Sequence, residues 1–143
     1  MTQLCVSSDQ IDAFGHVNNA VYLQWLDEAA WAHSNALGVT IERCLELGRG
    51  MAVMHTSLHY LRAAVAGDVV EIATWLAPAA RPLCVLRCFE LRRLSDDAIV
   101  LKASIEYTCI DLVSGRPAKW PGLFRQAYVP TGLACPTSVG AHK

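Results

Sequence analysis

The sequence is poor in charge. Charged residues make up 17% of the 143 residues, whereas 53% are apolar, and a typical soluble domain has roughly 25% charged residues. This imbalance excludes a disordered chain, which would show the reverse. Twelve Lys and Arg against thirteen Asp and Glu leave a net charge of −1, so no general attraction to nucleic acid or membrane surfaces is predicted. The apolar excess suggests that part of the surface is covered by another subunit.

Long apolar runs and a leader pattern are also missing. No stretch reaches the roughly 18 apolar residues that indicate a membrane span, and residues 1–9 lack the basic start and apolar run of a secretory signal. We therefore expect a cytoplasmic protein. None of the six cysteines forms a CxxC pair, and we interpret them as small buried hydrophobes with no redox or metal role.

The hydrophobic periodicity predicts one domain over residues 1–128 and a loose tail over 129–143. A helix is predicted from Asn18 or Asn19 to about Leu37, and a short one over 40–47. Strands are predicted at 3–8, 51–61, 69–76, 83–94 and 98–110. This order favours an α+β fold, in which one antiparallel sheet of about five strands packs on the long helix.

The long predicted helix is unusually apolar. Its spacing of three and four residues places an apolar stripe on one side, formed by Leu23, Leu26, Ala30, His33 and Leu37. The segment contains only two acids, Asp27 and Glu28, and no Lys or Arg. We expect a helix of this kind to be wrapped by the rest of the protein.

The densest polar cluster, residues 12–19, lies directly before this helix. A helix N-terminus offers unpaired backbone N–H groups and the positive end of a dipole, which stabilise an anion or a developing oxyanion. Gly15 allows the backbone to approach a ligand closely. The carboxylate of Asp12, ionised at neutral pH, is placed to act as a general base on water or as a nucleophile.

A carboxylate with an oxyanion site and no strong acid suits one reaction best. A thiol leaves as thiolate with little help, whereas an amine or alkoxide needs a proton donor. Thioester hydrolysis is therefore the least demanding match. From the residues alone, the alternative that Asp12, Asn18 and Asn19 are ordinary turn and capping residues stays open.

Three segments resemble hotdog-fold acyl-CoA thioesterases of the 4-hydroxybenzoyl-CoA thioesterase type. Residues 12–26, Asp-Ala-Phe-Gly-His-Val-Asn-Asn-Ala-Val-Tyr-Leu-Gln-Trp-Leu, resemble the family's signature. Residues 60–68 are similar to the exit from its second strand, and residues 108–121 are similar to its last strand and exit turn. The resemblance covers residues from about 4 to 125.

The resemblance implies a long helix wrapped by a curved antiparallel sheet. It also implies homodimers joined edge to edge, often paired into homotetramers, with active sites at the dimer interface. By position, Asp12 corresponds to the catalytic carboxylate, and the backbone N–H of Asn19 to the donor that polarises the thioester carbonyl. No cofactor is implied beyond the coenzyme A of the substrate.

The run His-Val-Asn-Asn at 16–19 also resembles plant-type acyl-carrier-protein thioesterases. In that family an Asn stands two residues after the Asp and takes part in the site. Here that position is Phe14, which favours a coenzyme A substrate over an acyl carrier protein.

Further residues are candidates for the site, each with a structural alternative. His16 is a candidate for acid–base chemistry or for orienting the loop. The candidates for substrate binding are Asn18, Tyr22, Trp25, Tyr60, Arg62, Arg92 and Arg93. Arg92 and Arg93 flank a predicted hairpin turn at 95–97, where they would hold coenzyme A phosphates or be merely solvated. No metal site is predicted, because His55 and His59, four apart on a strand, lie about 13 Å apart.

Two other functions compete with hydrolysis. Asp12 and His16 would also suit a hotdog hydratase or dehydratase acting on an acyl thioester, although the motif with a longer Asp-to-His gap and a Pro is missing. A non-catalytic acyl-CoA-binding module is the other alternative. Hotdog sensors carry an attached DNA-binding segment, for which the sequence leaves no room.

Overall fold

In the computed structural model, residues 1–135 are described. The strands are β1 (Thr2–Cys5), β2 (Arg49–Tyr60), β3 (Val69–Pro78), β4 (Cys84–Arg93) and β5 (Ala98–Asp111). The α-helices are α1 (Asn19–Ala36), α2 (Ile41–Leu47) and α3 (Gly122–Ala127), and a single 3-10 turn covers Ser8–Gln10.

The five strands form one antiparallel sheet in the order β1-β3-β4-β5-β2. The α+β fold with a five-stranded antiparallel sheet and one long helix, predicted from the sequence, is confirmed. The hairpin turn predicted at 95–97 joins β4 to β5, with Asp97 at a φ of 61°. β2 is an edge strand of the sheet, and within the described part of the chain it pairs only with β5.

Two bulges bend the sheet around the helix. In β2 the register shifts between Val53 and His55, and in the β4–β5 pair it shifts between Leu91 and Arg92. Leu91 faces Leu101 whereas Arg92 faces Ile99, so Val100 is the extra residue. A bulge of this kind increases local twist and frees a backbone group from the ladder.

Helix α1 packs against the concave face of the sheet. Asn18 caps it, because its side-chain oxygen accepts a hydrogen bond from the N–H of Ala20. The buried residues of α1 are Tyr22, Trp25, Leu26, Ala29, Ala30 and Ser34. The predicted stripe is therefore wrong at its start, because Leu23 is 43% exposed. No helix among the described residues is both long and apolar enough to cross a membrane.

A second core cluster closes the other end of the sheet. There α3, a helix that is not among the predicted elements, inserts the fully buried Phe124 beside Val39 and Leu76. Apolar residues at 120, 123, 124, 127 and 128 have helical spacing, and Pro121 stands at the N-cap. This periodicity is the signal that predicts α3.

Residues 129–135 are attached to the sheet, although they belong to the segment predicted as a loose tail. The N–H of Thr131 donates to the carbonyl of Leu76 at 3.1 Å, and the indole N–H of Trp75 donates to the carbonyl of Ala134 at 3.3 Å. Residues 136–143 of that predicted tail lie outside the described residues.

The attachment places Cys135 against β4, where it forms a disulfide with Cys88. The interpretation of all six cysteines as small buried hydrophobes is therefore wrong for this pair, and also for Cys5, which is exposed. Cys44 and Cys109 are buried free thiols, as expected. The two bonded cysteines are 47 residues apart, so no local spacing could reveal the bond.

Candidate active site at the N-terminus of the long helix

A tight turn over residues 11–17 carries the predicted catalytic carboxylate. Ile11 and Val17 form an antiparallel bridge, and the N–H of Asp12 donates to the carbonyl of His16 at 2.8 Å. Gly15 closes the turn at a φ of +81° and donates its N–H to the carbonyl of Asp12 at 3.1 Å. This left-handed conformation favours glycine, which explains the residue at this position.

The turn also fixes the Asp12 side chain. Its Oδ1 accepts hydrogen bonds from the backbone N–H groups of Phe14, at 2.9 Å, and His16, at 3.3 Å. Within residues 1–135, Oδ2 has no hydrogen-bond partner. One oxygen thus orients the carboxylate, and the other is available for chemistry.

The first N–H of α1 is an unused donor. The N–H groups of Ala20 and Val21 both donate to Asn18, at 2.9 Å in each case. In the described structure, the N–H of Asn19 has no acceptor, as expected for the first residue of a helix. It therefore remains free to donate to a carbonyl oxygen of a ligand.

The opposite wall of the site is built by the segment that follows β2. The carbonyl of the bulged residue Val100 accepts the N–H groups of Leu61, at 2.9 Å, and Arg62, at 3.2 Å. A little further on, the carbonyl of Ala64 accepts the N–H of Val17 at 2.9 Å. The bulge in β5 thus holds residues 61–64 against the turn that carries Asp12.

Between these walls lies a cavity of about 310 Å³. Of the candidates, it brings together Asp12, His16, Asn19, Tyr22, Tyr60 and Arg62. The rings of Tyr22 and Tyr60 meet edge to face at 5.6 Å. The other lining residues are Val17, Leu61 and Ala63. The sequence does not mark Val17, Leu61 and Ala63 as site residues, because apolar side chains in a loop have no distinctive pattern.

Five of the candidates lie outside the lining, namely Gly15, Asn18, Trp25, Arg92 and Arg93. Gly15 and Asn18 act from behind it, as the turn and cap residues described above. Trp25 is buried in the core, with its ring 5.4 Å from that of Tyr22. Arg92 is paired with Glu71 at 2.8 Å and Asp97 at 3.1 Å.

Arg93 supports the cavity wall from outside. Its guanidinium donates to both carboxylate oxygens of Asp96, at 2.9 and 2.8 Å, and to the carbonyl of Ala63 at 2.9 Å. The hydrogen bonds from Arg93 lower the pKa of Asp96 to about 2. Since its charge is balanced in this way, Arg93 is a weak candidate for phosphate, and its contact with coenzyme A stays a prediction.

By contrast, Arg62 is a cation without a counterion among the described residues. It is exposed at the cavity wall, and among the described residues no carboxylate lies within 4 Å of it. The site therefore combines a partly free carboxylate, an unused backbone donor and one unpaired guanidinium. This set can polarise a carbonyl, attack it or activate water beside it, and bind an anionic group nearby.

A long helix packed on a curved antiparallel sheet, with a carboxylate at the helix N-terminus, defines a hotdog-fold thioesterase. Residues 6–128 match the thioesterase-like superfamily. The chain belongs to this family, and it is a thioester hydrolase.

The relatives agree with this assignment. The chain is 27% identical over 129 residues to the long-chain acyl-CoA thioesterase FadM of Escherichia coli K12, covering 87% of this chain and 93% of that protein. The crystal structure of YbaW, a probable thioesterase from E. coli, has a TM-score of 0.76 at 25% identity, covering 90% of this chain and 98% of that one.

A further structural relative shows the same fold at lower identity. Slr0204, a 1,4-dihydroxy-2-naphthoyl-CoA thioesterase from Synechocystis, has a TM-score of 0.79 at 18% identity. The comparison covers 89% of this chain and 93% of that one.

Proposed function

We propose that the protein hydrolyses an acyl-CoA thioester to the free acid and coenzyme A at the cavity formed by Asp12 and Asn19. One observation carries the proposal. Asp12 and Asn19 line the same small cavity, and within residues 1–135 Oδ2 of Asp12 and the N–H of Asn19 have no hydrogen-bond partner. A carboxylate and a backbone donor are the two groups that thioester hydrolysis requires.

In this mechanism the N–H of Asn19 donates to the thioester carbonyl oxygen. The bond strengthens as negative charge develops on that oxygen, and the positive end of the α1 dipole adds to the effect. Asp12 acts through Oδ2, either by removing a proton from the attacking water or by adding directly to the carbonyl carbon. In either case the sulfur leaves as the coenzyme A thiolate. When Asp12 is the nucleophile, water then hydrolyses the mixed anhydride between the acyl group and Asp12, which releases the acid and restores the carboxylate.

His16 has a more limited role in this proposal. Its backbone N–H holds Oδ1 of Asp12, and its side chain lines the cavity without a hydrogen-bond partner among residues 1–135. A thiolate leaving group needs no acid, so the imidazole contacts the substrate rather than donating a proton.

Coenzyme A is the proposed carrier. The unpaired guanidinium of Arg62 lies at the cavity wall, suitably placed for an anionic group of the substrate. Phe14, 86% exposed, stands where acyl-carrier-protein thioesterases of the plant type have a site Asn.

We also propose that the protein acts as a homodimer or a dimer of dimers. Among the described residues the outer edge of β2 pairs with no other strand, and Val53 and Met54 in that strand are 58% and 51% exposed. An open, apolar edge of this kind is covered in most native proteins. Sedimentation analysis tests the proposal, and a monomer at micromolar concentration would contradict it.

The decisive experiment offers aromatic, short-chain and long-chain acyl-CoAs and follows the release of free thiol. Asp12→Asn keeps the size of the side chain but removes its base and nucleophile, and we expect hydrolysis to fall by at least about 10²-fold. The matched control is Asp9→Asn, because Asp9 is an exposed acid that contacts the Ser7 hydroxyl outside the cavity.

Two outcomes would contradict the proposal. If Asp12→Asn retains the wild-type rate, the role assigned to this carboxylate is wrong. If no acyl-CoA releases thiol but enoyl-CoAs are hydrated, the hydratase alternative is correct, whereas binding without turnover would support the non-catalytic module.

A further inference from the structure

A second cavity, of about 380 Å³, lies beyond the middle of α1 and away from Asp12. It opens between α1, α2 and the first half of β2, and most of its surface is apolar. Exposed apolar side chains surround the mouth, among them Trp31, Ile41, Leu45 and Val53. Its volume falls in the range that small-molecule sites in proteins occupy.

A buried cation lies in this apolar cavity. Arg87 projects from β4 into the lining and is only 3% exposed. Among residues 1–135 no carboxylate oxygen lies within 4 Å of its guanidinium, and the other arginines in ion pairs are all more exposed.

Every described partner of Arg87 is neutral. Its Nη1 donates to Nδ1 of His33 at 2.6 Å and its Nη2 donates to Oγ of Ser34 at 3.1 Å, and Tyr107 lines the same cavity. Because arginine has no acceptor, Nδ1 of His33 must carry a lone pair, so this imidazole is uncharged. Burial raises the pKa of Tyr107 to about 12, so the phenol is also uncharged at neutral pH.

These contacts orient the guanidinium without balancing its charge. A buried charge is normally paired with an opposite charge, since burial without one is costly. A rigidly held cation without a counterion is suited to receive an anion, and the planar fork of arginine matches the two oxygens of a carboxylate.

We propose that the cavity around Arg87 binds an apolar carboxylic acid, with the carboxylate on Arg87 and the body of the ligand against Trp31 and Leu45. The test below distinguishes two sources of this carboxylate. One is a free carboxylic acid, and the other is a substrate acyl group whose far end carries a carboxylate. The second source rests on the function proposed above, whereas the first does not.

The exposed acid Asp27 should oppose the binding of a carboxylate in this cavity. It also lines the cavity, but its carboxylate lies more than 4 Å from any described basic group. A carboxylate ligand in this cavity therefore meets a like charge as well as the cation of Arg87. Removal of that charge should strengthen binding.

The first arm of the test is direct binding, followed by calorimetry and by tryptophan fluorescence. We expect octanoate to bind wild-type protein roughly ten- to hundredfold more tightly than octanamide, because only the acid forms a charged pair with Arg87. Arg87→Met should abolish this preference, and Asp27→Asn should tighten octanoate binding. Equal affinity for acid and amide in the wild type would overturn the proposal, even if no Arg87 variant folds.

The second arm identifies the source by comparing thiol release from palmitoyl-CoA and from hexadecanedioyl-CoA, which ends in a carboxylate. The long chain is needed because the partners of Arg87, His33 and Ser34, lie roughly 21 Å along α1 from Asn19. A preference of wild type for hexadecanedioyl-CoA that Arg87→Met removes assigns the site to the acyl group. No such preference, together with octanoate binding, assigns it to a free acid. Failure of hydrolysis alone would contradict the proposed function but leave the binding result intact.

Discussion

The hydroxyl of Tyr22 accepts a hydrogen bond from the backbone N–H of Ala64 at 3.3 Å. The bond joins the first turns of α1 to the segment that carries Arg62, so it connects the two walls of the Asp12 cavity. Both residues are buried, and Tyr22 itself lines the cavity. The contact therefore belongs to the frame of the site as well as to the core.

Replacing Tyr22 by Phe should destabilise the protein. The variant leaves the N–H of Ala64 buried without a partner, at a cost of about 1–3 kcal/mol in the free energy of unfolding. Urea denaturation measures the change. Tyr60→Phe is the control, because the exposed Tyr60 hydroxyl has no hydrogen bond among the described residues, and an equal loss in both variants would refute the argument.

Gly15→Ala should lower both stability and activity. The Cβ meets nothing within 4 Å, but the φ of +81° is strained for any residue with a side chain, at a cost of about 1–2 kcal/mol. Relaxation of the turn would move the N–H groups that hold Asp12. Gly115→Ala carries similar strain, at a φ of +73°, outside the site. It should lose stability but not turnover per folded molecule.

The parts of the protein that local spacing encodes were predictable. Apolar alternation indicated the five strands, and the cap at Asn18 with the apolar run after it indicated α1. Asp12 and Asn19 are seven residues apart, so their convergence follows from one turn and one helix start. Periodicity could not fix the rotation of α1 to better than one residue, and Leu23 was therefore misplaced.

The parts that depend on distant segments were not predictable. Arg87 contacts His33 and Ser34, which are 54 and 53 residues away in the sequence. In the sequence alone, nothing distinguishes it from a half-exposed arginine on a strand. Likewise, Arg92 and Arg93 looked like free cations at a hairpin, because the sequence does not show that Glu71 and Asp96 neutralise them. The Cys88–Cys135 bond depends on the attachment of residues 129–135 to the sheet, and no hydrophobic periodicity in that segment predicts this attachment.

Stability should fall as the pH is lowered through and below about 6.5, the pKa of an unfolded-chain histidine, because of His33. Burial, and then the charge of Arg87, lower the pKa of this imidazole from 6.5. The unfolded chain therefore binds a proton in this range that the folded protein does not, and stability rises with pH. His33→Asn keeps an acceptor for Arg87 but does not titrate. Unfolding measured across this range should be less pH-dependent in the variant, and an identical dependence would exclude His33 as the cause.

The Cys88–Cys135 disulfide predicts how many cysteine thiols react with a thiol reagent. Four cysteines are free, namely Cys5, Cys44, Cys84 and Cys109. Unfolded, unreduced protein should therefore give four reactive thiols, and reduced protein all six. Because the bond spans 47 residues, Cys88→Ser should lower the free energy of unfolding by about 2–4 kcal/mol, whereas Cys5→Ser should have little effect.

Six thiols in unreduced protein would show that the bond does not form. Counting the reactive thiols in cell extracts, with thiols blocked at lysis, also tests the cellular location of the protein. The cytosol keeps most cysteines reduced, so a bond present at lysis would oppose the cytoplasmic location expected from the sequence.

Arg62→Gln should weaken the binding of acyl-CoA more than it slows turnover. Its guanidinium lies at the wall of the Asp12 cavity without a counterion among the described residues, so it is available to a phosphate of coenzyme A. We expect the KM to rise by roughly ten- to hundredfold, the effect of one charged hydrogen bond, with a much smaller change in kcat. A thioester of N-acetylcysteamine, which lacks the nucleotide and its phosphates, should show no such rise.

Arg43→Gln, which breaks an exposed pair with Glu46 at 2.9 Å on α2, controls for the loss of one surface charge. An equal effect of Arg62→Gln on both thioesters would instead place Arg62 against the acyl group.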